Sequence, residues 1–207
     1  IAEIVPAKEI SVITNMADVK FFVNSNTSAT NEFVIGYLGT FGLANHLEYL
    51  IEAAKYAPSN VKFLLMGSGA QYDRIKNLAE GIDCITWEEE GGKDKVNEVM
   101  KKCDAIYISF HKAPILATGS PNKFFDGLAA GKYIIVNFKG WIKDLVESAE
   151  CGVSYNPEKP DELFTKLAPV INNTEELSSA QLKARQLAEK QFSPEVQLKV
   201  LEEVIKK

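Results

Sequence analysis

Two apolar patterns alternate along the chain. Short runs rich in β-branched and aromatic residues, at 10–14, 33–38, 61–66, 82–87, 105–110, 133–137 and 152–155, predict strands. Several are nearly continuous apolar stretches, as parallel strands covered on both faces require. Between them, Leu43, Leu47, Leu50, Ile51 and Ala54 recur at helical spacing, as do Tyr72, Ile75 and Leu78, then Val96, Val99 and Met100. Segments 121–130, 141–149 and 161–171 read as three more helices. Strand–helix alternation at this spacing predicts an α/β, Rossmann-like doubly wound parallel sheet over about 31–171. Ligands bind such sheets beyond the carboxyl ends of the strands, so the informative loops are 39–44, 67–70, 88–92, 111–120 and 138–140.

The two ends read differently. Residues 15–32 hold the polar stretch Asn24-Ser25-Asn26-Thr27-Ser28, typical of a linker or exposed loop. After Ile171 the pattern is helical only. Ser193-Pro194-Glu195 is a good helix start, and Val196, Val200, Leu201, Val204 and Ile205 form an apolar stripe behind it. That stripe suits packing on its own domain or crossing to a neighbour. The expected division is a lead-in segment at 1–32, a ligand-binding domain at 33–190 and C-terminal helices ending in 191–207.

Composition narrows the classes. Twenty-three basic against twenty-eight acidic side chains give a net charge of −5, which argues against a nucleic-acid binder needing a basic surplus. No apolar run reaches the roughly 18 residues of a membrane-spanning helix. Cys84, Cys103 and Cys151 are far apart, with no C-x-x-C pair, so reduced cytosolic thiols are expected and no zinc or redox motif is supported. His46 and His111 are too isolated to suggest a metal cluster, and no metal site is expected. Asn26-Thr27-Ser28 and Asn172-Asn173-Thr174 match the short, common glycosylation pattern. An initial isoleucine, followed by no targeting segment, suggests an excised or processed fragment.

Three stretches could carry chemistry. Gly36-Tyr37-Leu38-Gly39-Thr40-Phe41-Gly42 imitates a dinucleotide fingerprint, but Gly36 falls inside the strand. Met66-Gly67-Ser68 also stands where a ribose-binding acid would be expected. What survives is a glycine-bearing turn opening the first long helix, suited to a phosphate, or simply a tight turn. In Gly119-Ser120-Pro121-Asn122-Lys123-Phe124-Phe125-Asp126, Ser120 is a plausible N-cap and Pro121 fits the first helical position. The exposed amides there suit an anion, with Lys123 for a diphosphate and Asp126, three residues on, for ribose hydroxyls. The competing reading is a surface ion pair between these two side chains. Trp87, before Glu88-Glu89-Glu90, could flank a nucleobase or sit in the core. His111 follows a strand and could touch a ligand. No Ser/His/Asp arrangement or carboxylate pair can be argued from spacing.

Taken in order, these stretches resemble the C-terminal, donor-binding half of group-one (family 4) retaining glycosyltransferases of the GT-B fold. Ile10 to Asp18 is similar to that family's "vIpNGvD" segment, and Gly36 to Gly42 to its glycine-bearing phosphate loop. Phe63 to Gly69 matches "hhhhGxG". Ser120 to Gly131, with Lys132-Tyr133-Ile134-Ile135-Val136 following, matches "PxKxxExxAxGxPVV" in the style of bacterial surface-polysaccharide enzymes. Gly140 and Gly152 fall where later family glycines lie.

The resemblance implies that Ser120, Asn122 and Lys123 meet the donor pyrophosphate, with Gly39, Thr40, Phe41 and Gly42 opposite. Asp126 takes the place of the ribose-holding glutamate, and the base lies against Trp87 and Glu88. His111, Thr118 and Gly119 complete the expected donor site. Thr118 stands where the family often has a sugar-contacting glutamate, Tyr133 replaces the usual proline, and Thr40 and Phe41 replace basic residues. The implied function is transfer of a sugar, with retention, from a UDP- or GDP-linked donor to a glycan or lipid-linked acceptor, without a metal or other cofactor. The acceptor-binding partner would be a missing N-terminal domain, and the catalytic residues are not identified. The whole enzyme would be cytoplasmic, with room for peripheral association at the inner face of the membrane. Competing readings are a GT-B nucleotide-sugar 2-epimerase half, a nicotinamide-cofactor enzyme and a non-enzymatic nucleotide-binding module.

Overall fold

The computed structural model describes residues 11–23 and 32–206. Six parallel strands, β1 (Phe33–Leu38), β2 (Val61–Met66), β3 (Ile85–Glu88), β4 (Ala105–Ile108), β5 (Tyr133–Val136) and β6 (Gly152–Ser154), form one sheet in the order β3-β2-β1-β4-β5-β6. The chain reverses its direction of travel across the sheet between β1 and β4, and such a switch point opens a crevice at the carboxyl edge.

Strand alternation divides the core into two layers. Ile35, Tyr37, Phe63, Leu65, Tyr107 and Ile135 face one layer, covered by α1 (Glu48–Ala54), α2 (Tyr72–Leu78), α6 (Glu162–Ile171) and the start of α7 (Thr174–Leu187). Leu64, Met66, Ile106, Ile108, Ile134 and Val136 face the other. That side is covered by α3 (Lys93–Lys101), α4 (Asn122–Ala129), α5 (Trp141–Ser148) and the end of α7. A π turn, Ala188–Phe192, leads into α8 (Pro194–Ile205). Ser193 caps α8, accepting from the Val196 amide as the Ser-Pro start predicts. Leu198, Leu201, Val204 and Ile205 on α8 remain exposed.

Three sequence expectations need correction. Residues 11–14 lie outside the sheet, and Ile10 and Asn26 are outside the described residues. The third strand starts at Ile85, not 82, because Ile82 and Ile85 are tied into the turn that closes α2: Ile82 donates to Ala79 O and Ile85 to Ile82 O, both at 3.1 Å. The first helix begins only at Glu48, so the glycine-bearing turn does not open it.

The described stretch 17–22 of the lead-in segment is tied to the domain. Ala17 and Phe22 are fully buried. The Arg185 guanidinium donates to the Val19 and Phe22 carbonyls, each at 2.7 Å, and to that of Ala129. Lys93 pairs with Asp18 at 2.6 Å and stands over the Phe21 ring.

Candidate functional site

A cleft of about 490 Å³ opens at the carboxyl ends of β1 and β2, with the first turn of α4 as its opposite wall. Gly39, Thr40, Gly67, Asn122, Lys123 and Asp126 are among its lining residues. A second depression of about 420 Å³ adjoins it, bounded by Gly67, Ser68, Tyr72 and Glu88 to Glu90.

The loop after β1 is shaped by the loop after β2. The Gly39 amide donates to Met66 O at 2.9 Å and the Phe41 amide to Ser68 O at 2.8 Å. Phe41 O in turn accepts from the Gln71 amide at 2.9 Å. Further along, His46 takes a positive φ of 43°, and helix starts only after it. The loop therefore lacks the helix-start amides expected for it, and the amides of Gly39 and Phe41 are already spent on β2's loop. The Phe41 side chain is fully buried, stacked on Trp87 with centroids 5.9 Å apart and edge-on to Tyr37 and Tyr72. Phe41 and Trp87 border neither depression; both pack behind Tyr72, which lines the second one.

The turn before α4 carries the open amides. Pro121, not Ser120, occupies the N-cap position, and no side chain caps the helix. The first amides of a helix have no partner within it, so those of Asn122 and Lys123 are left beside the cleft that both residues line. The turn is open to solvent, with Ser120 and Asn122 exposed. Its carbonyls are held from outside, Gly119 O by the Trp141 indole at 2.9 Å and Ser120 O by the Asn15 amide at 2.7 Å.

Lys123 and Asp126 share the cleft but form no ion pair. The Lys123 ammonium donates to the Tyr37 hydroxyl at 2.7 Å, and that hydroxyl donates to Thr40 O at 2.6 Å. Burial raises the Tyr37 hydroxyl well above its ordinary pKa, so it stays protonated and can donate. Desolvation pulls the Lys123 ammonium down to about 7. The Asp126 carboxyl is pushed up to about 6, chiefly by burial, with Lys93 opposing the shift. A phosphate in the cleft would supply the negative charge that Lys123 lacks.

The remaining expected residues are more scattered. Glu88 borders the second depression and is held by Lys102 at 2.6 Å and Lys95 at 3.3 Å. The Lys102 hydrogen bond lowers its pKa. His111 is exposed, its amide bonded to Ala44 O at 2.7 Å and its ring 4.8 Å from that of His46. Thr118 ends a 3-10 turn, Pro114–Thr118, and its hydroxyl donates to Ile115 O at 2.8 Å. Gly42, His111, Thr118, Gly119 and Ser120 border neither depression. The structure adds three residues absent from the expected site: Tyr37 under Lys123, and Asn15 and Trp141 on the turn. Tyr37 and Asn15 lie within stretches that the sequence singles out; nothing in the sequence marks their partners.

The model of the group 1 glycosyl transferases matches residues 18–187. The chain belongs to that family. An uncharacterized glycosyltransferase of Methanocaldococcus jannaschii is 28% identical over 141 residues, covering 67% of this chain and 38% of the relative. One from Haemophilus influenzae is 28% identical over 142 residues, covering 66% and 37%. The chain thus spans well under half the length of these curated relatives. Among solved structures, S. aureus TarM superposes with a TM-score of 0.77 at 14% identity, covering 99% of this chain and 41% of TarM. Anabaena HepE, solved with UDP-glucose, gives 0.75 at 18%, covering 95% and 57%. The C-terminal domain of the Francisella tularensis group 1 protein LpcC gives 0.69 at 14%, covering 86% of this chain and 98% of that domain. The fold of this glycosyl transferase chain is one Rossmann-like half of the GT-B architecture.

Proposed function

We propose that this chain is the donor-binding half of a retaining, family-4 type glycosyltransferase that transfers a sugar from a nucleoside diphosphate to a surface-glycan or lipid-linked acceptor. The observation that carries the reading is the convergence of Lys123 and the uncapped amides of α4 on one cleft, facing the Gly39 loop. The diphosphate lies there, with Asp126, one turn further along α4, for the ribose hydroxyls. The adjoining depression beside Glu88 takes the base. Likeness to HepE, solved with UDP-glucose, and to the LpcC C-terminal domain supports the assignment.

Breaking the bond from the anomeric carbon to the diphosphate builds negative charge on the leaving group. Fixed amides and an ammonium aimed at that charge lower the barrier, provided they are held in place before reaction. Tyr37 holds Lys123, while Trp141 and Asn15 hold the turn. Phosphate binding protonates Lys123 fully. With retention, the acceptor attacks from the leaving-group side, and the groups that bind it belong to the other half of the enzyme. The exposed stripe of α8 packs against that half. The whole enzyme works in the cytoplasm, in peripheral contact with the inner face of the membrane; no helix among the described residues is long and apolar enough to cross one.

Calorimetric titration of the chain with UDP, GDP and ADP tests the reading. One nucleotide binds, Lys123→Met and Asp126→Asn weaken it, and no sugar is transferred. Full affinity in both variants would refute the assignment of the cleft, and transfer by the chain alone would refute the division of labour.

A further inference from the structure

Asn15 lies more than a hundred residues before α4, yet its side-chain amide reaches the first turn of that helix. The two hydrogens of Nδ2 are divided between Ser120 O at 2.7 Å and Asn122 Oδ1 at 2.8 Å. Ser120 O can only accept, so the Asn15 amide must present its nitrogen there. The Asn122 amide must then present its oxygen to Asn15, which leaves its NH₂ group as the side-chain donor remaining to a residue that lines the cleft.

The backbone on either side of Asn15 is anchored. The Thr14 amide donates to Gln197 Oε1 at 3.0 Å, and Gln197 is itself held on Gln191 O at 2.6 Å. The Ala17 amide donates to Phe192 O at 2.7 Å. Asn15 therefore acts from a fixed support on a turn that has no cap of its own.

We propose that Asn15 is a positioning residue for the donor diphosphate: it fixes the Ser120 carbonyl and the amide orientation of Asn122, so that Asn122 turns a donor rather than an acceptor toward the ligand. This rests on the donor-binding reading above. Without Asn15, the Asn122 amide is free to flip, and its carbonyl oxygen would repel a phosphate.

A double-mutant cycle with UDP as the probe tests this. Asn15→Ala weakens UDP by about tenfold, the size of one hydrogen-bond donor lost to a charged group. Asn122→Ala weakens it similarly, and the double variant is no weaker than the poorer single one, because Asn15 acts through Asn122. The melting temperature of Asn15→Ala stays within about 2 °C of the parent. Unchanged UDP affinity in Asn15→Ala, or fully additive losses, overturns the proposal. Exchange of the Phe124 amide without ligand supplies a separate arm, because that amide is bonded to Pro121 O at 3.0 Å across the turn Asn15 holds: faster exchange in Asn15→Ala supports the clamp and unchanged exchange refutes it. If the parent chain binds no UDP while exchange still quickens, the donor-binding reading fails and the clamp on the turn stands.

Discussion

The Lys123 ammonium stands 2.7 Å from the Tyr37 hydroxyl and 3.9 Å from the centroid of the same ring. One residue on β1 thus meets the lysine both as hydrogen-bond acceptor and as π face, and its hydroxyl also closes onto Thr40 O. This arrangement holds a cation in place without neutralising it, because no carboxylate pairs with Lys123 among the described residues. Replacing Lys123 by Met keeps the volume and removes a desolvated charge. Stability in guanidinium should therefore hold or rise, while affinity for a nucleoside diphosphate falls by about tenfold or more. A variant that loses stability and keeps affinity would assign Lys123 to the structure rather than to the ligand.

Tyr37→Phe separates the two contacts. The ring remains beneath the ammonium, but Lys123 loses its acceptor and Thr40 O its donor. A loss of about 1–2 kcal/mol in urea unfolding is expected, the range for hydrogen bonds broken in a half-buried site. A change below about 0.3 kcal/mol would mean that water replaces the hydroxyl without penalty.

The two shifted groups act on stability in different pH windows. Lys123 titrates near 7 in the folded chain against 10.5 as its ordinary value. Between those values the unfolded chain binds more protons, so stability rises with pH across that window. Below about 7 the full penalty of charging the buried ammonium is present, and Lys123→Met should flatten the rise. Asp126 titrates near 6 against 3.8. Here the folded chain holds more protons in the window, so stability falls as pH rises through it, and Asp126→Asn should remove the fall. Diphosphate binding near pH 8 should take up a proton onto Lys123, which appears as a binding heat that depends on the buffer's ionisation enthalpy.

How far the sequence could be read followed from which partners are local. β1 and β2 begin and end where their apolar runs do, because each lies inside the sheet with both faces covered. Lys123 and Asp126 were legible because a proline-marked helix start and a three-residue spacing determine their placement. Leu43 misled, since its helical spacing falls in a loop whose backbone bonds go elsewhere, whereas Leu47 is the N-cap of α1 and is buried in the core as the spacing predicts. Ala44 O accepts from the His111 amide at 2.7 Å and Asn45 O from the Ser109 hydroxyl at 2.5 Å, both groups just beyond β4. Such long-range partners leave no periodic trace. The same holds for Asn15 on the α4 turn and for the Tyr37 hydroxyl under Lys123.

The floor of the cleft rests on two loops in contact, and Gly67 is where they meet. Its φ is +145°, a region that side chains rarely adopt, and an added Cβ would lie 1.8 Å from Gly39 O. Neither atom can yield, because a Cβ has no rotamer to turn away, Gly39 O is backbone, and the Gly39 amide is itself bonded to Met66 O at 2.9 Å. At Gly42 a Cβ would come no closer than 3.4 Å, to the side-chain oxygen of Asn45. Gly67→Ala should therefore destabilise the chain by about 3 kcal/mol or more, combining backbone strain with a displaced loop, whereas Gly42→Ala should stay within about 1 kcal/mol of the parent. Urea unfolding of the pair measures the contrast. In whatever Gly67→Ala protein remains folded, nucleotide affinity should drop as well, since the Gly39 loop would be pushed toward Lys123, whose Nζ lies 3.1 Å from where a Cβ on Gly39 would stand. Equal stability of the two variants would show that the loops after β1 and β2 do not pack as described.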